Sequence, residues 1–321
     1  MPLSEFELIS RFFNRPSKQQ YSSVAKGIGD DCAILNVPPE QQLLVSTDTL
    51  VEGVHFPEQA LARDIAYRCV AVNISDIVAM GGEPQWLSLA LTLPRAEEAW
   101  VEKFSIGFFE AADDFNVQLI GGDTTRGPLS ITLTVYGFTP HGSAVLRSGA
   151  QIGDGIYVSG EFGDAAAALH QINSGKQFYP ELISQFYRPQ PPVALGVALR
   201  DVATACIDVS DGLLADLQHI LSASEVGGEL WLDTIPYSLK LKQYCEANDL
   251  DALELACTGG DDYQLCFTMP SKFENKLLES LIQYDVTIKK VGRIVSGKAL
   301  QCLDANNAVK VMSRSGYQHF G

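Results

Sequence analysis

Acidic residues follow short apolar runs several times along this chain, usually beside a glycine or a small hydroxyl residue. The segments are Gly27-Ile-Gly-Asp-Asp, Leu43-Leu-Val-Ser-Thr-Asp, Leu119-Ile-Gly-Gly-Asp and Asp208-Val-Ser-Asp-Gly. This pattern predicts carboxylates at the ends of several strands. Because magnesium and calcium bind carboxylate and carbonyl oxygens, the sequence indicates a hard-cation site assembled from separate strand ends. Such a site points to phosphate chemistry.

Each of these acids also has a purely structural explanation. Asp211 could cap the helix that follows it, and Asp30 and Asp31 could lie in a solvated turn. The segment Gly121-Gly-Asp-Thr-Thr could approach a phosphate closely, as glycine-rich cradles do, or could be a tight loop at a strand exit. The evidence for a functional site is therefore the recurrence of the acids rather than any one of them.

Several familiar catalytic motifs do not occur in the sequence. It contains no Gly-x-x-x-x-Gly-Lys-Ser/Thr phosphate loop and no protein-kinase His-Arg-Asp or Asp-Phe-Gly element. None of the five histidines shares a short motif with a serine or cysteine nucleophile, so a triad hydrolase is unsupported. His55 lies close to a candidate site and could contact a ligand. Arg126 and Arg147 could bind phosphate or form surface ion pairs.

The net charge restricts the classes of ligand. With 39 acidic and 23 basic residues the chain carries a formal charge of −16, which disfavours binding to nucleic acid and to anionic membranes. An anionic substrate would have to be neutralised locally by metal ions, a few arginines and backbone N–H groups. The hydrophobic fraction of 46% and the charged fraction of 19% are ordinary for a globular protein.

The seven cysteines occur singly, with no paired spacing, and most of them lie in apolar stretches. We therefore expect buried, reduced thiols rather than a disulfide or zinc framework. The first residues lack the positive charge of a signal peptide, and no apolar run approaches the roughly 18 residues of a membrane span. These features predict a cytoplasmic protein without a membrane anchor.

Strand and helix patterns alternate through both halves of the chain, which predicts two similar α/β domains. The first half predicts helices over residues 5–13, 63–80 and 97–116 and strands over 33–37, 43–47, 87–93, 117–120 and 131–138. The second half predicts a strand over 156–158, helices from 164 and from 213, and a helix ending near 200. A segment rich in proline, glycine and serine at 139–153 predicts the domain boundary. Asn73 and Asp76 would share one helix face and could point at one site.

Eight short segments occur in a characteristic order along nearly the whole chain. They are Gly27-Ile-Gly-Asp-Asp-Cys-Ala, Ser46-Thr-Asp-Thr-Leu-Val, His55-Phe, Ala71-Val-Asn-Ile-Ser-Asp, Gly121-Gly-Asp-Thr-Thr-Arg-Gly, Arg147-Ser-Gly, Asp208-Val-Ser-Asp-Gly-Leu and Gly259-Gly-Asp-Asp-Tyr. Together they resemble the thiamine-monophosphate kinase family. The resemblance implies the mixed α/β (α+β), two-domain fold of the aminoimidazole ribonucleotide synthetase superfamily, with the N-terminal sheet used for dimerisation. Residues 1–148 would form the ATP- and magnesium-binding domain, and residues 149–321 would complete the active site.

The resemblance also implies roles for individual residues. The implied magnesium ligands are Asp31, Ser46, Thr47, Asp48, Asp76, Asp123, Asp208 and Asp211. ATP would be held by Gly121, Gly122, Arg147 and Ser210, and thiamine monophosphate by His55, Asp261 and Tyr317. The residues closest to the reaction would be Asp48, Asp123, Asp211 and Arg147. At position 261 the family usually has glutamate, so the aspartate of this chain is one methylene shorter.

The implied activity is ATP-dependent phosphorylation of thiamine monophosphate to thiamine diphosphate by direct in-line transfer, with several magnesium ions, in a cytoplasmic homodimer. The acceptor phosphate has its second pKa near 6, so one of its oxygens is already ionised at neutral pH and no protein base is needed. One alternative is another ATP-dependent synthetase of the same superfamily. A second alternative is a non-catalytic protein that binds metal or nucleotide.

Overall fold

The computed structural model describes residues 5–15, 23–175, 179–312 and 316. The chain divides into two compact units: unit 1 comprises Met1–Ile77 and Gly82–Gly142, and unit 2 comprises Val78–Gly81 and Ser143–Gly321. The chain therefore enters unit 2 for four residues, returns to unit 1, and leaves it again after Gly142. The predicted boundary after residue 148 stays a prediction.

Unit 1 contains a four-stranded sheet in the order β3-β6-β4-β5, in which only β4 and β5 are parallel neighbours. Its strands are β1 (Val24–Lys26), β2 (Ile34–Leu35), β3 (Gln41–Val51), β4 (Glu83–Leu93), β5 (Gln118–Arg126) and β6 (Ser130–Pro140). Its helices are α1 (Glu5–Leu8), which continues as a π-helical turn over Ile9–Phe13, α2 (Ala62–Ala79) and α3 (Glu98–Asp114). The strands β1 and β2 form a separate antiparallel pair.

The two faces of this sheet have different surroundings. Strand β6 alternates buried apolar residues such as Ile131, Leu133 and Val135 with less buried ones, as expected for a sheet with one packed face. The packed face is covered by α2, whose Ile77 lies against Gly137. On the opposite face, the β1–β2 pair covers one end only, where Leu35 and neighbouring residues pack against a buried cluster of Trp86, Ile120 and Phe138.

The predicted helices and strands of unit 1 are confirmed in type, but β3, β4, β5 and β6 are longer than predicted. The prediction that Asp48 and Asp123 end their strands is wrong. Strand β3 stays paired with β6 as far as Val51, and β5 stays paired with β4 as far as Arg126. Thr49 and Val51 after Asp48, and Thr124 and Thr125 after Asp123, favour continued strand structure. A register shift next to Ser88 accommodates the irregular pairing ahead of the two glycines. The tight loop considered for residues 121–125 is therefore not observed.

Unit 2 contains a six-stranded sheet in the order β12-β9-β11-β7-β10-β8, with β12 and β9 the one parallel pair. Its strands are β7 (Gly155–Ser159), β8 (Ala205–Asp208), β9 (Gly227–Trp231), β10 (Leu265–Met269), β11 (Ile288–Val295) and β12 (Leu300–Leu303). Its helices are α4 (Asp164–Ser174), α5 (Pro180–Tyr187), α6 (Val193–Leu199), α7 (Leu213–Ser224), α8 (Leu239–Asn248), α9 (Ala252–Thr258) and α10 (Glu274–Leu281), with 3-10 turns over Leu232–Thr234 and Ser271–Phe273.

The short segment Val78–Gly81 is fastened within unit 2. The Arg200 side chain donates a hydrogen bond from Nε to the Gly81 carbonyl at 2.5 Å. The Val78 carbonyl lies so close to Gly196 of α6 that a Cβ at that glycine would be 2.4 Å from the oxygen. Unit 2 therefore uses residues that precede most of its sequence by more than sixty positions.

The cysteines agree with the prediction of free thiols. All seven are unpaired, and all except Cys32 are buried. Burial alone raises the pKa of the Cys69 thiol well above its usual range. Within the described ranges, no helix has both the length and the apolar character that crossing a membrane would require.

Candidate active site

Strand β3 and helix α2 bring three of the predicted metal ligands together. The Ser46 hydroxyl donates to Asp76 Oδ2 at 2.5 Å, and the Asp48 main-chain N–H donates to Asn73 Oδ1 at 3.2 Å. Asn73 is itself oriented by a hydrogen bond from its Nδ2 to the Cys69 carbonyl at 2.9 Å. These contacts confirm the prediction that Asn73 and Asp76 share one helix face, because both residues contact β3.

The electrostatics of this cluster favour a cation. Burial and the neighbouring Asp76 carboxylate raise the pKa of Asp48 to about 6. A carboxyl with such a pKa is ionised at neutral pH, but its ionisation is opposed by the second acid. The donors are carboxylate and hydroxyl oxygens, without a thiolate or imidazole, which fits magnesium and does not fit zinc. Magnesium usually retains several waters, so a few protein oxygens are sufficient.

Thr47 lies on the other face of β3. Successive side chains of a strand point to opposite faces, and Ser46 and Asp48 face α2. The Thr47 hydroxyl instead lies 2.9 Å from the Thr134 hydroxyl of β6. The side chain of Thr47 is thus separated from the two neighbouring ligands, and only its main chain is close to them.

Asp123 is far from Asp48 within the same chain. Asp48 is aligned across the sheet with Leu133, Leu89 and Gly122, in that order. Three strand spacings of about 4.8 Å place the two edges about 14 Å apart. Asp123 also points to the opposite face, because it is one residue beyond Gly122. One ion cannot bind both side chains of a single chain at this separation.

Two glycines precede Asp123 and differ in their surroundings. Gly122 has φ of +149°, and a Cβ there would lie 1.8 Å from the Leu89 carbonyl oxygen. At Gly121, a Cβ would meet nothing within 4 Å. The close approach of the backbones requires glycine at 122, whereas the space beside 121 is compatible with a ligand.

His55 has a defined tautomer. Its Nδ1 accepts the Val51 main-chain N–H at 3.0 Å, so in the neutral ring the proton is on Nε2. The ring therefore presents a hydrogen-bond donor at Nε2, which suits contact with a phosphate oxygen. Asp31 is exposed in the turn before β2, where its main-chain N–H donates to Asp30 Oδ1 at 3.0 Å.

A second group of predicted ligands lies in unit 2, immediately after β8. Asp208 is the last residue of that strand and is buried, as predicted for an acid at a strand end. Ser210 and Asp211 follow it and are half-buried. Arg147 is exposed. Its backbone lies next to β8, because the carbonyl of the preceding residue, Leu146, accepts the Cys206 N–H at 2.9 Å.

Asp216 holds the loop after β8 and was not predicted from the sequence. Its Oδ2 accepts the main-chain N–H groups of Ser210, Asp211 and Gly212 at 3.0, 3.0 and 3.2 Å. Burial raises the pKa of Asp216 to about 6, although these hydrogen bonds oppose the shift. The sequence signal was an aspartate in the first turn of α7, where orphan N–H groups are available.

The segment Gly259–Tyr263 packs against that loop. The Asp261 N–H donates to the Ser210 carbonyl at 2.8 Å, and Tyr263 donates from its N–H to the Val209 carbonyl at 2.8 Å. Asp261 has φ of +70°, a conformation that aspartate adopts more readily than most residues, and its Oδ1 accepts the Tyr263 hydroxyl at 3.2 Å. The shorter acid thus suits the backbone here. Tyr317 lies outside the described residues.

The described residues contain two groups of predicted ligands, Ser46–Asp48–Asp76 in unit 1 and Asp208–Ser210–Asp211 in unit 2. Among these residues, no three His, Cys, Asp or Glu side chains converge closely enough to enclose a metal ion by themselves. Each group therefore offers a partial set of oxygen ligands that substrate phosphates or water would have to complete.

Comparisons with known proteins identify both domains of the chain. Models for the N-terminal and C-terminal domains of AIR synthase related proteins match residues 29–139 and 151–304. The thiamine-monophosphate kinase of Escherichia coli is 44% identical over 325 residues, which cover 100% of this chain and 99% of that protein.

Two solved structures are similar along most of their length. The thiamine-monophosphate kinase from Stenotrophomonas maltophilia has a TM-score of 0.84 and 41% identity, covering 94% of this chain and 95% of its own. AaThiL complexed with AMPPCP and TMP has a TM-score of 0.79 and 33% identity, covering 92% and 93%. The predicted two-domain mixed α/β fold is confirmed by these matches. The chain belongs to the thiamine-monophosphate kinase family, among the AIR synthase related proteins.

Proposed function

We propose that this protein transfers the γ-phosphoryl group of ATP to the phosphate of thiamine monophosphate, forming thiamine diphosphate. The observation that carries the proposal is the match along the full length to the Escherichia coli thiamine-monophosphate kinase at 44% identity. The complex of AaThiL with AMPPCP and TMP supports the same two classes of ligand for this chain. The synthetase and non-catalytic alternatives have no comparable support among these relatives.

The reaction needs little covalent chemistry from the protein. An ionised oxygen of the acceptor phosphate attacks the γ-phosphorus, the bond from that phosphorus to the β-phosphate oxygen breaks, and ADP leaves with the bonding electrons. Because the acceptor oxygen is already ionised at neutral pH, the reaction does not require a general base from the protein. The difficulty is to bring two anionic phosphates together in line, so positioning and charge neutralisation are the main tasks.

The predicted ligands divide those tasks between them. Magnesium, when bound, would neutralise the charge of the substrate phosphates. Ser46, Asp48 and Asp76 would be the ligands in unit 1, and Asp208 and Asp211 would be the ligands in unit 2. Asp31, Asp123 and the main chain of Thr47 would complete the set.

The substrate contacts follow the same division. The donor at Nε2 of His55 and the carboxylate of Asp261 would contact thiamine monophosphate, together with Tyr317. Gly121, Gly122, Ser210 and Arg147 would hold ATP. We propose these roles for the two domains at 1–148 and 149–321. Arg147 is within the first of these proposed domains, but it lies in unit 2, which begins again at Ser143.

The unit 1 sheet supports the proposal of a homodimer. Away from the β1–β2 pair, its uncovered face carries a cluster of threonines that includes Thr47, Thr49, Thr132 and Thr134. Threonine is favoured in sheets and can pack against a second sheet. In a homodimer, Asp48 of one subunit and Asp123 of the partner subunit could complete one site, which the distance within one chain does not allow. The free thiols favour a reducing compartment such as the cytoplasm.

The deciding experiment is mass spectrometry of the products after incubation with ATP, magnesium and thiamine monophosphate. Thiamine diphosphate and ADP are expected in equal amounts. Thiamine without its phosphate is the matched control substrate and should not be phosphorylated. Release of ADP without thiamine diphosphate would favour another superfamily reaction, and no release of ADP at all would favour the non-catalytic alternative.

A further inference from the structure

The main-chain N–H groups of the loop Ser210–Gly212 are already occupied by a protein carboxylate. All three point at Asp216 Oδ2, at 3.0, 3.0 and 3.2 Å. Consecutive N–H groups that converge in this way form a nest, which in many proteins binds a phosphate or another anion. Here the anion belongs to the chain, so these N–H groups are not available to hold a nucleotide phosphate.

The opposite side of the loop is fixed by the segment Gly259–Tyr263. The Ser210 carbonyl accepts the Asp261 N–H at 2.8 Å, and a Cβ at Gly260 would lie only 2.3 Å from the same oxygen. The neighbouring Val209 is paired in both directions, with Tyr263 and with Gln264, at 2.8 Å each. The backbone of the loop is thus held on two sides, by Asp216 and by this segment.

We propose that Asp216 is a positioning residue for the magnesium ligands Asp208 and Asp211, and that its single oxygen sets the conformation in which their loop can bind the metal. This inference rests on the proposed function only in so far as it takes those acids to be metal ligands. Asp216 is buried in the first turn of α7, where the helix dipole favours a carboxylate. Its charge and its three hydrogen bonds hold the loop before any ion binds.

A role limited to capping α7 would have different consequences. Loss of a cap lowers the stability of the whole protein, and the metal affinity of the folded molecules would not change. Loss of a residue that orients metal ligands typically weakens metal affinity by about 10- to 100-fold. Metal affinity measured on folded protein therefore separates the two roles.

The test uses manganese as the metal probe, with ATP present and thiamine monophosphate absent, and records bound and free Mn²⁺ by electron paramagnetic resonance. Asp216→Leu removes the acceptor and should weaken Mn²⁺ binding by about 10- to 100-fold. Asp216→Asn keeps an acceptor oxygen and should stay within a few-fold of the wild type. Asp164→Asn is the matched control, because Asp164 is a half-buried acid in the first turn of a helix and its pKa is also raised by burial, but it accepts from the Ser238 hydroxyl.

The inference is overturned if Asp216→Leu binds Mn²⁺ like the wild type, or if Asp164→Asn loses as much affinity as Asp216→Leu. If Asp216→Leu does not fold, the comparison of Asp216→Asn with Asp216→Glu decides. Glutamate keeps the charge but displaces the carboxylate by one methylene, so it should bind Mn²⁺ more weakly than the asparagine variant; equal affinities would overturn the inference. A wild type that binds Mn²⁺ with ATP but does not phosphorylate thiamine monophosphate would contradict the proposed function alone.

Discussion

Asp48 and Asp123 occupy opposite edges and opposite faces of one four-stranded sheet. If both acids serve one reaction centre, each centre must combine two copies of the chain. Subunit mixing tests this directly. Asp48→Asn and Asp123→Asn should each be inactive alone. When the two are co-expressed, half of randomly formed dimers are hybrids, and each hybrid has one site with both acids intact.

About a quarter of the wild-type activity is therefore expected from the mixture. The matched control combines Asp48→Asn with Asp76→Asn. These acids belong to one cluster of one chain, so every site of their hybrid contains a defect and activity should stay absent. Hybrid dimers of the first pair that are demonstrably formed but inactive would contradict a shared centre.

The roles of the two ring nitrogens of His55 can be tested with two different substitutions. Glutamine places an N–H donor near the position of Nε2, whereas asparagine places an oxygen near Nδ1 and lacks the outer donor. A hydrogen bond to a charged group contributes about 1.5–3 kcal/mol. His55→Asn should therefore raise KM for thiamine monophosphate roughly tenfold or more, with KM for ATP little changed.

His55→Gln should recover most of that loss. Steady-state kinetics with each substrate varied in turn provides the measurement. Equal increases in both KM values would show that His55 stabilises the structure at the end of β3 and does not contact thiamine monophosphate specifically.

The paired glycines before Asp123 should differ sharply in their tolerance of a methyl group. Gly122→Ala places a Cβ against the Leu89 carbonyl at a positive φ, so the β4–β5 ladder must open. We expect a loss of at least about 2 kcal/mol in the free energy of unfolding. Gly121→Ala is the matched control and should change stability by less than about 1 kcal/mol, since its Cβ meets nothing within 4 Å. Thermal and denaturant unfolding of both variants measures the difference, and equal losses would be inconsistent with the backbone contact described here.

The half-buried acid Asp164 should make stability depend on pH in the direction opposite to ordinary acid denaturation. Burial is the main cause that raises its pKa from 3.8 to about 6, with the Ser238 hydrogen bond opposing the shift. The folded protein therefore retains a proton that the unfolded chain releases between about pH 4 and pH 6. Stability from this group is present at low pH and is lost as the pH rises through that window.

Asp164→Asn removes the titration while keeping an acceptor for Ser238. The free energy of unfolding of this variant minus that of the wild type should increase from pH 4 to pH 7. The increase should be at most about 3 kcal/mol, and solvent screening reduces it. Denaturant unfolding across this range measures the difference. A difference that does not change with pH would show that Asp164 titrates as an ordinary surface acid.

The sequence predicted the element types well where a single periodicity dominated. Helix α2 was predicted within a residue or so at each end because its apolar positions recur regularly between polar ones. The ends of β3 and β5 were missed because Asp48 and Gly121 are residues that often terminate strands, while the pairing that carries the strands onward comes from distant β6 and β4. Local propensity contains no information about such partners.

The site shows the same limit. The order of the acidic motifs identified the family, and the helix spacing of Asn73 and Asp76 correctly placed both on one face. The face of Thr47 could have been assigned from strand alternation, which separates it from Ser46 and Asp48. The distance from Asp48 to Asp123 required the strand order, and the role of Asp216 required the loop geometry, which neither composition nor spacing specifies.

The excursion of residues Val78–Gly81 into unit 2 restricts how this chain can be divided. A fragment beginning at Ser143 would lack the residues that contact Gly196 and Arg200, and a fragment ending at Gly142 would carry those residues without their partners. A cut after Gly142 therefore separates Val78–Gly81 from the residues that they contact. A single recombination point near Gly142 would combine Val78–Gly81 of one relative with Gly196 and Arg200 of another. Exchange between relatives should therefore keep Val78–Gly81 and unit 2 from the same parent.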